Sequence, residues 1–272
     1  MARPKPDFKR MILKLPHSRQ DYIAVAATAQ LADLLGIELV GTYFDDASML
    51  ALAELPSARE FRSGGWQRLT TEQLVSDFAR AAQEVERLFA EVAGGNQRTA
   101  FRKGKGSAAE AISSEAGVDD IVVIIEPKNP IERATHQFTE LVEAAFRTSS
   151  SILLVPSRTM SATGPIIVLA TNPEDPSFKA ALAVACAARE RMIVIPSAQS
   201  DQSLSSIVET ARLAGIAATV MVPAFGATHT FVPAVAKGRL LIVRRSLIEH
   251  RARHSFVDLQ VPTLLISSES QQ

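Results

Sequence analysis

Short apolar runs recur through this chain in two series of five. The first series is Met11–Leu15, Ile37–Phe44, Arg98–Lys103, Val118–Ile125 and Ile152–Val155. The second is Ile166–Ala170, Met192–Ile195, Ala217–Val222, Leu240–Val243 and Thr263–Ile266. Each run has the length of a strand, and helical stretches separate most of them. This alternation predicts parallel pairing, because parallel neighbours need a crossover connection of about a dozen residues or more. Val118–Ile125 contains an apolar stretch with no polar alternation, which predicts a strand covered on both faces. The predicted fold class is α/β, with two doubly wound five-stranded parallel-sheet domains arising by internal duplication. The small polar stretch Arg158–Gly164 divides the series, so the predicted domains are 1–157 and 164–272.

The helical stretches carry their own signals. In Tyr22–Leu35 the apolar residues Ile23, Ala27, Leu31, Leu34 and Leu35 fall near one face, and Gly36 stops the helix. Glu72–Val92 carries the strongest apolar stripe, with Thr70 or Thr71 as its cap. Shorter helices are predicted at Ala108–Glu115, Phe138–Phe146, Ser177–Ala188, Ser203–Ala214, Phe231–Ala236 and Arg251–Leu259. One segment, 47–71, does not fit the alternation. It is rich in Met49, Leu50, Leu52, Leu55, Phe61 and Trp66, yet Pro56 and Gly64-Gly65 break it. Three readings follow: packing over the helices of the first domain, a cap over a cleft at the sheet edge, or a surface for a homodimer or a partner protein.

Charge narrows the function classes. Lys and Arg total 29 and Asp and Glu total 29, so no general attraction to nucleic acid is expected. The aromatic residues of the insertion do not read as alternating with basic ones, which gives no stacking platform for bases. No run approaches the roughly 20 apolar residues that cross a bilayer, so no membrane partner is expected. The basic N-terminus lacks the apolar stretch of a secretory signal, and cytoplasmic localisation is the expectation. The single cysteine, Cys186, lies in an apolar run and reads as a core thiol.

Ordered blocks along the chain carry a family resemblance. The first half offers MILKLPHS, AATAQLADLLGIELVGTYF, GSAAEAISSEAGVDDIVVI and SSSILLVP. The second offers GPIIVLATNPEDPSFKAALAVA, LIVRR and VPTLLISS. In these blocks the chain resembles a tandem universal stress protein, two fused domains of that family. The resemblance implies a Rossmann-like, adenine nucleotide alpha hydrolase-like fold and an intramolecular pairing of the two domains. The pairing would bring Ile152–Val155 and Thr263–Ile266 together. It also implies two sites at which some members bind ATP. Those members have an acidic residue at the end of the first strand; the matching places are Pro16, beside His17 and Ser18, and the neighbourhood of Thr171 and Asn172, and neither has the acid. The phosphate loop after the fourth strand would span 126–137 and 244–255, and neither segment contains the glycines that let amides approach a phosphate.

The sequence therefore points to a non-enzymatic stress-response or regulatory protein that has lost ATP binding and acts by protein association, as a homo-oligomer or with a partner. No cofactor is expected, with ATP or AMP as the disfavoured alternative. That alternative is a small-molecule module holding a nucleotide or other anion at the second fourth-strand tip. Its candidate ligands are Arg244, Arg245, His250, Arg251, Arg253 and His254, with Thr171 and Asn172 across the crevice. Glu132, Arg133 and His136 of the first half are candidate salt-bridge counterparts. A secondary group is His17, Ser18, Lys105 and Ser107. Gly104-Lys105-Gly106-Ser107 resembles a fragment of a phosphate loop, though Ser107 with Glu110 reads better as a capping box. Two histidines four apart, His250 and His254, make a weak metal signal, and no metal is expected. No nucleophile elbow or spaced acid pair is present, which argues against an enzyme.

Overall fold

The computed structural model describes residues 8–15, 22–45, 47–62, 64–94, 98–104, 106–127, 129–156, 161, 163–196, 201–221, 238–247 and 261–267. The first half runs β1 (Arg10–Lys14), α1 (Tyr22–Leu35), β2 (Glu38–Phe44), α2 (Ala47–Ala53), β3 (Arg59–Arg62), β4 (Gly65–Arg68), α3 (Thr71–Ala93), β5 (Thr99–Gly104), α4 (Ala108–Glu115), β6 (Asp120–Ile125), α5 (Pro130–Arg133), α6 (His136–Arg147) and β7 (Ser151–Val155). The second runs β8 (Ile166–Ala170), α7 (Pro176–Ala188), β9 (Met192–Pro196), α8 (Asp201–Leu213), β10 (Ala218–Val220), β11 (Leu240–Arg244) and β12 (Thr263–Ile266). The helices predicted at Phe231–Ala236 and Arg251–Leu259 lie outside the described residues.

Ten strands form one sheet in the order β10-β9-β8-β11-β12-β7-β6-β1-β2-β5. Each half has the same internal order, third-second-first-fourth-fifth. Every neighbouring pair is parallel except β7 and β12, which meet antiparallel with Leu154 opposite Thr263, Leu153 opposite Leu264 and Ile152 opposite Leu265. This central seam pairs two edges that would otherwise present open N–H and C=O groups.

The period-2 geometry of a strand explains the core. Ile121 and Val123 enter one apolar layer with α1, α3 and α7, while Val122 and Ile124 enter the other with α4 and α6. Leu240 and Ile242 divide from Leu241 and Val243 in the same way. Burial of each such side chain stabilises the fold by about 1.5–3 kcal/mol before the cost of ordering. Continuous apolar strands are thus what two covered faces require.

Local signals set the helix ends. Gly36, at φ 66°, ends α1. Thr70 caps α3, accepting from the amide of Gln73. In the first half, β1 and β6 are clamped at their N-terminal ends by Arg10, whose Nε and Nη2 each donate to Asp120 at 2.9 Å. Segment 47–71 resolves into α2 and an antiparallel ribbon of β3 and β4. Ala53, Ala58, Leu69 and Leu74 bury one another there, with Leu50 and Phe78 against them.

Candidate functional site

In an open parallel sheet, ligands enter where the strand order reverses, outside the carboxyl ends of the strands. Here the reversals fall between β1 and β6 and between β8 and β11.

The second mouth is built on a buried ion pair. The turn after β8 folds back so that Asp175 becomes the N-cap of α7, with Pro176 at the first helical position. Its Oδ1 accepts from the Ser177 amide at 2.9 Å. Its Oδ2 accepts from the amide and the hydroxyl of Thr171, both at 3.1 Å. Nη2 of Arg244, the last residue of β11, lies 3.0 Å from the same oxygen. The Asp175 side chain is fully buried. A buried carboxylate needs this many donors and a countercharge. Asn172 supports the turn: its side-chain oxygen accepts from the amide of Glu174, and its amide donates to the Thr171 hydroxyl. Nε of Arg244 and Oγ of Ser177 are buried without a hydrogen-bond partner among the described residues.

Arg245 turns away from Arg244. Its Nη1 donates to the carbonyls of Thr148 at 2.6 Å and Ser150 at 3.3 Å, and its guanidinium lies over the Phe146 ring, 5.5 Å from the centroid. These three residues belong to the first half, so Arg245 fastens the two halves together beside the seam. The structure therefore brings Thr171, Asn172 and Arg244 to one place and assigns Arg245 to another. His250, Arg251, Arg253 and His254 lie outside the described residues.

At the first mouth, Glu126 follows β6 and pairs with Arg133 of α5 at 2.5 Å. His136 pairs with Glu140 on its own helix at 3.1 Å. Arg133 and His136 thus find carboxylates within the first half, which corrects their reading as counterparts of Arg244 and its neighbours. Ser107 is the N-cap of α4. Its hydroxyl accepts from the Glu110 amide, and Glu110 accepts from the Ser107 amide, a complete capping box. His17, Ser18 and Lys105 lie outside the described residues.

Asp175 is the residue that sequence reading missed. The end of β8 has no acid of its own, but five residues on, Asp175 returns a carboxylate to Thr171. Its signal was local: an aspartate directly before a proline that opens a helix.

The comparisons match the geometry at the level of fold. No family model matches the sequence. No curated protein matches it either. Among solved structures, a universal stress protein from Archaeoglobus fulgidus DSM 4304 superposes with a TM-score of 0.64 at 10% identity, covering 95% of this chain and 96% of that one. A functionally unknown protein from Pseudomonas aeruginosa PAO1 does so with a TM-score of 0.50 at 15% identity, covering 97% of this chain and 94% of that one. The chain has the fold of these proteins over nearly its whole length. No helix among the described residues is long and apolar enough to cross a membrane.

Proposed function

We propose that this chain is a tandem universal stress protein, with units 1–157 and 164–272, that regulates by protein association instead of nucleotide turnover. One observation carries the proposal: the Asp175–Arg244 ion pair, which spans the mouth between β8 and β11. A phosphate at this mouth would have to compete with a fully buried carboxylate for the same guanidinium. Glu126–Arg133 places a second acid–base pair at the other fourth-strand tip. The insertion supports the association half of the reading. Leu52, Leu55, Phe61 and Trp66 stand exposed on it, although the same segment also buries a small core of its own.

A second reading draws on a different observation. Nε of Arg244 and Oγ of Ser177 remain as buried hydrogen-bonding groups without described partners. A nucleotide or another anion would use them, as in a small-molecule module.

Thermal scanning of the whole protein with ATP, AMP and inorganic phosphate separates the two. A ligand present at about a hundred times its Kd adds about 2.7 kcal/mol. For a chain of this size that raises Tm by roughly 5–10 °C. Melting temperatures that stay at the ligand-free value in all three count against the small-molecule reading. A shift that appears with ATP or AMP and disappears in Arg244→Ala overturns the association reading.

A further inference from the structure

One face of the β3–β4 ribbon has no packing partner within the described residues. Arg59 stands opposite Arg68, Glu60 opposite Gln67, Phe61 opposite Trp66 and Arg62 opposite Gly65. Side chains alternate along a strand, so Arg59, Phe61, Trp66 and Arg68 share one face and Glu60, Arg62 and Gln67 share the other. The second face is the anchored one, because Arg62 pairs with Glu60 and with Asp77 of α3. The first face turns outward. Phe61 is 63% exposed and Trp66 67%, and their rings meet edge to face at 5.7 Å.

This face lacks what would complete it. Like charges directly opposite across a ribbon repel, and neither Arg59 nor Arg68 forms an ion pair with a described carboxylate. Segment 59–68 holds three arginines against one glutamate in a chain whose acids and bases otherwise balance. The sequence gives no sign of this pairing of basic with aromatic residues until the ribbon folds and places them two by two. An occupant that answers both steps carries carboxylates for the arginines and flat or branched apolar groups for the aromatics.

We propose that this face binds a segment of a partner protein in which acidic side chains alternate with aromatic or aliphatic ones. The inference rests on the association reading above and narrows it to a partner chemistry. Two observations favour a peptide over single-stranded nucleic acid. The positive charge is confined to one step of a short ribbon, whereas a polyanion gains from a long basic track. Met49, Leu52 and Leu55 of the same insertion are also exposed, and apolar side chains answer them better than phosphates do. A second copy of the chain is the weaker occupant. A two-fold contact lays a patch on itself and would gather four guanidinium groups without a carboxylate.

Trp66 is the only tryptophan, so its fluorescence reports on this face in the intact protein. The probes are an eight-residue peptide alternating glutamate with phenylalanine and leucine, its glutamine analogue, and a mixed-sequence single-stranded oligonucleotide. The expected result is a saturable change in Trp66 emission with the acidic peptide only. It weakens about tenfold in Arg59→Gln/Arg68→Gln, and it weakens as salt rises from about 50 mM to about 500 mM. The double variant should melt no lower than the parent, since it removes a like-charge pair, and Phe61→Ala provides a second variant that keeps both charges and the reporter. An equal response to the glutamine analogue, a stronger response to the oligonucleotide, no response at all, or self-association through this face that the double variant enhances overturns the proposal. The nucleotide scan reads a different site, so its failure and the failure of this titration are distinguishable.

Discussion

Arg244 Nη2 sits 3.0 Å from Asp175 Oδ2 and ties the carboxyl end of β11 to the turn that follows β8. The same carboxylate holds the Thr171 amide and hydroxyl and caps α7 through the Ser177 amide. One side chain therefore closes a strand, a turn and a helix.

Asp175→Ala removes the countercharge and the cap together. Breaking a buried pair from one side costs about 3–5 kcal/mol, less where one partner reaches solvent as Arg244 does. A loss of about 3 kcal/mol in urea denaturation is expected, and a change under about 1 kcal/mol would show that the pair is not structural. Asp175→Ala, Arg244→Met and the double variant should couple by about 0.5–3 kcal/mol.

The chain has two tyrosines, and both are held in the neutral form. Burial, aided by the Glu84 carboxylate, pushes Tyr22 up to about 12. Burial, aided by Asp45, raises Tyr43. The folded state thus keeps phenolic protons that the unfolded chain releases near pH 10. The resulting stability is complete below about pH 10 and is lost as pH climbs through the folded values. Phenolate absorbance should stay low at pH 10 while circular dichroism is native and then rise with unfolding. Half of the phenolate signal at pH 10 in a native spectrum would contradict this.

At the acid end, the hydrogen bond from Arg62, with its charge and that of Arg80, holds the Asp77 carboxyl below the usual carboxylate range. That contribution is present above about pH 4 and is lost as pH falls through the lower folded value. Because Arg62 belongs to the ribbon, acid should loosen the ribbon from α3. Trp66 emission is expected to change in this window, and Asp77→Asn should show the changed emission already at neutral pH. An unchanged spectrum in that variant would remove the anchor from the account.

A packing test concerns Gly41 in β2. A Cβ there would lie 2.9 Å from Leu15 Cδ1 and 2.9 Å from Phe89 Cζ. Gly41→Ala should cost about 1–3 kcal/mol by overpacking, and Phe89→Leu in the same chain should recover part of it. A neutral Gly41→Ala would mean that α3 rides more loosely on the sheet than described.

Much of this architecture is written in local pattern. The bounds of α1 are those Gly36 predicts, although the helix buries Val25, Ala29, Ala32 and Leu35 and leaves Ile23, expected on the apolar face, 60% exposed; the strands from Met11 to Thr263 fall where the apolar runs lie. Helices and covered strands declare themselves because a periodicity of 3.6 or an unbroken apolar run repeats over many residues. The ribbon was harder to read. Each strand has four residues, and its alternation of Arg59 with Phe61 and of Trp66 with Arg68 becomes visible only once the chain is taken to reverse between Arg62 and Gly65. The mouth at Asp175 was harder still. A carboxylate five residues past a strand end reaches back only through a turn built by Asn172 and Pro176, and the partner that neutralises it lies 69 positions away. Contacts of that kind follow from topology and not from spacing along the chain.

The antiparallel seam between β7 and β12 has a directional consequence. Because all other neighbours run parallel, the carboxyl ends of the first five strands line one margin of the sheet, and those of the second five line the opposite margin. The ribbon, which follows β2, belongs to the first margin, and the Asp175–Arg244 closure belongs to the second. The two rims therefore face away from each other, and a molecule seated on the ribbon would leave the Asp175–Arg244 closure uncovered.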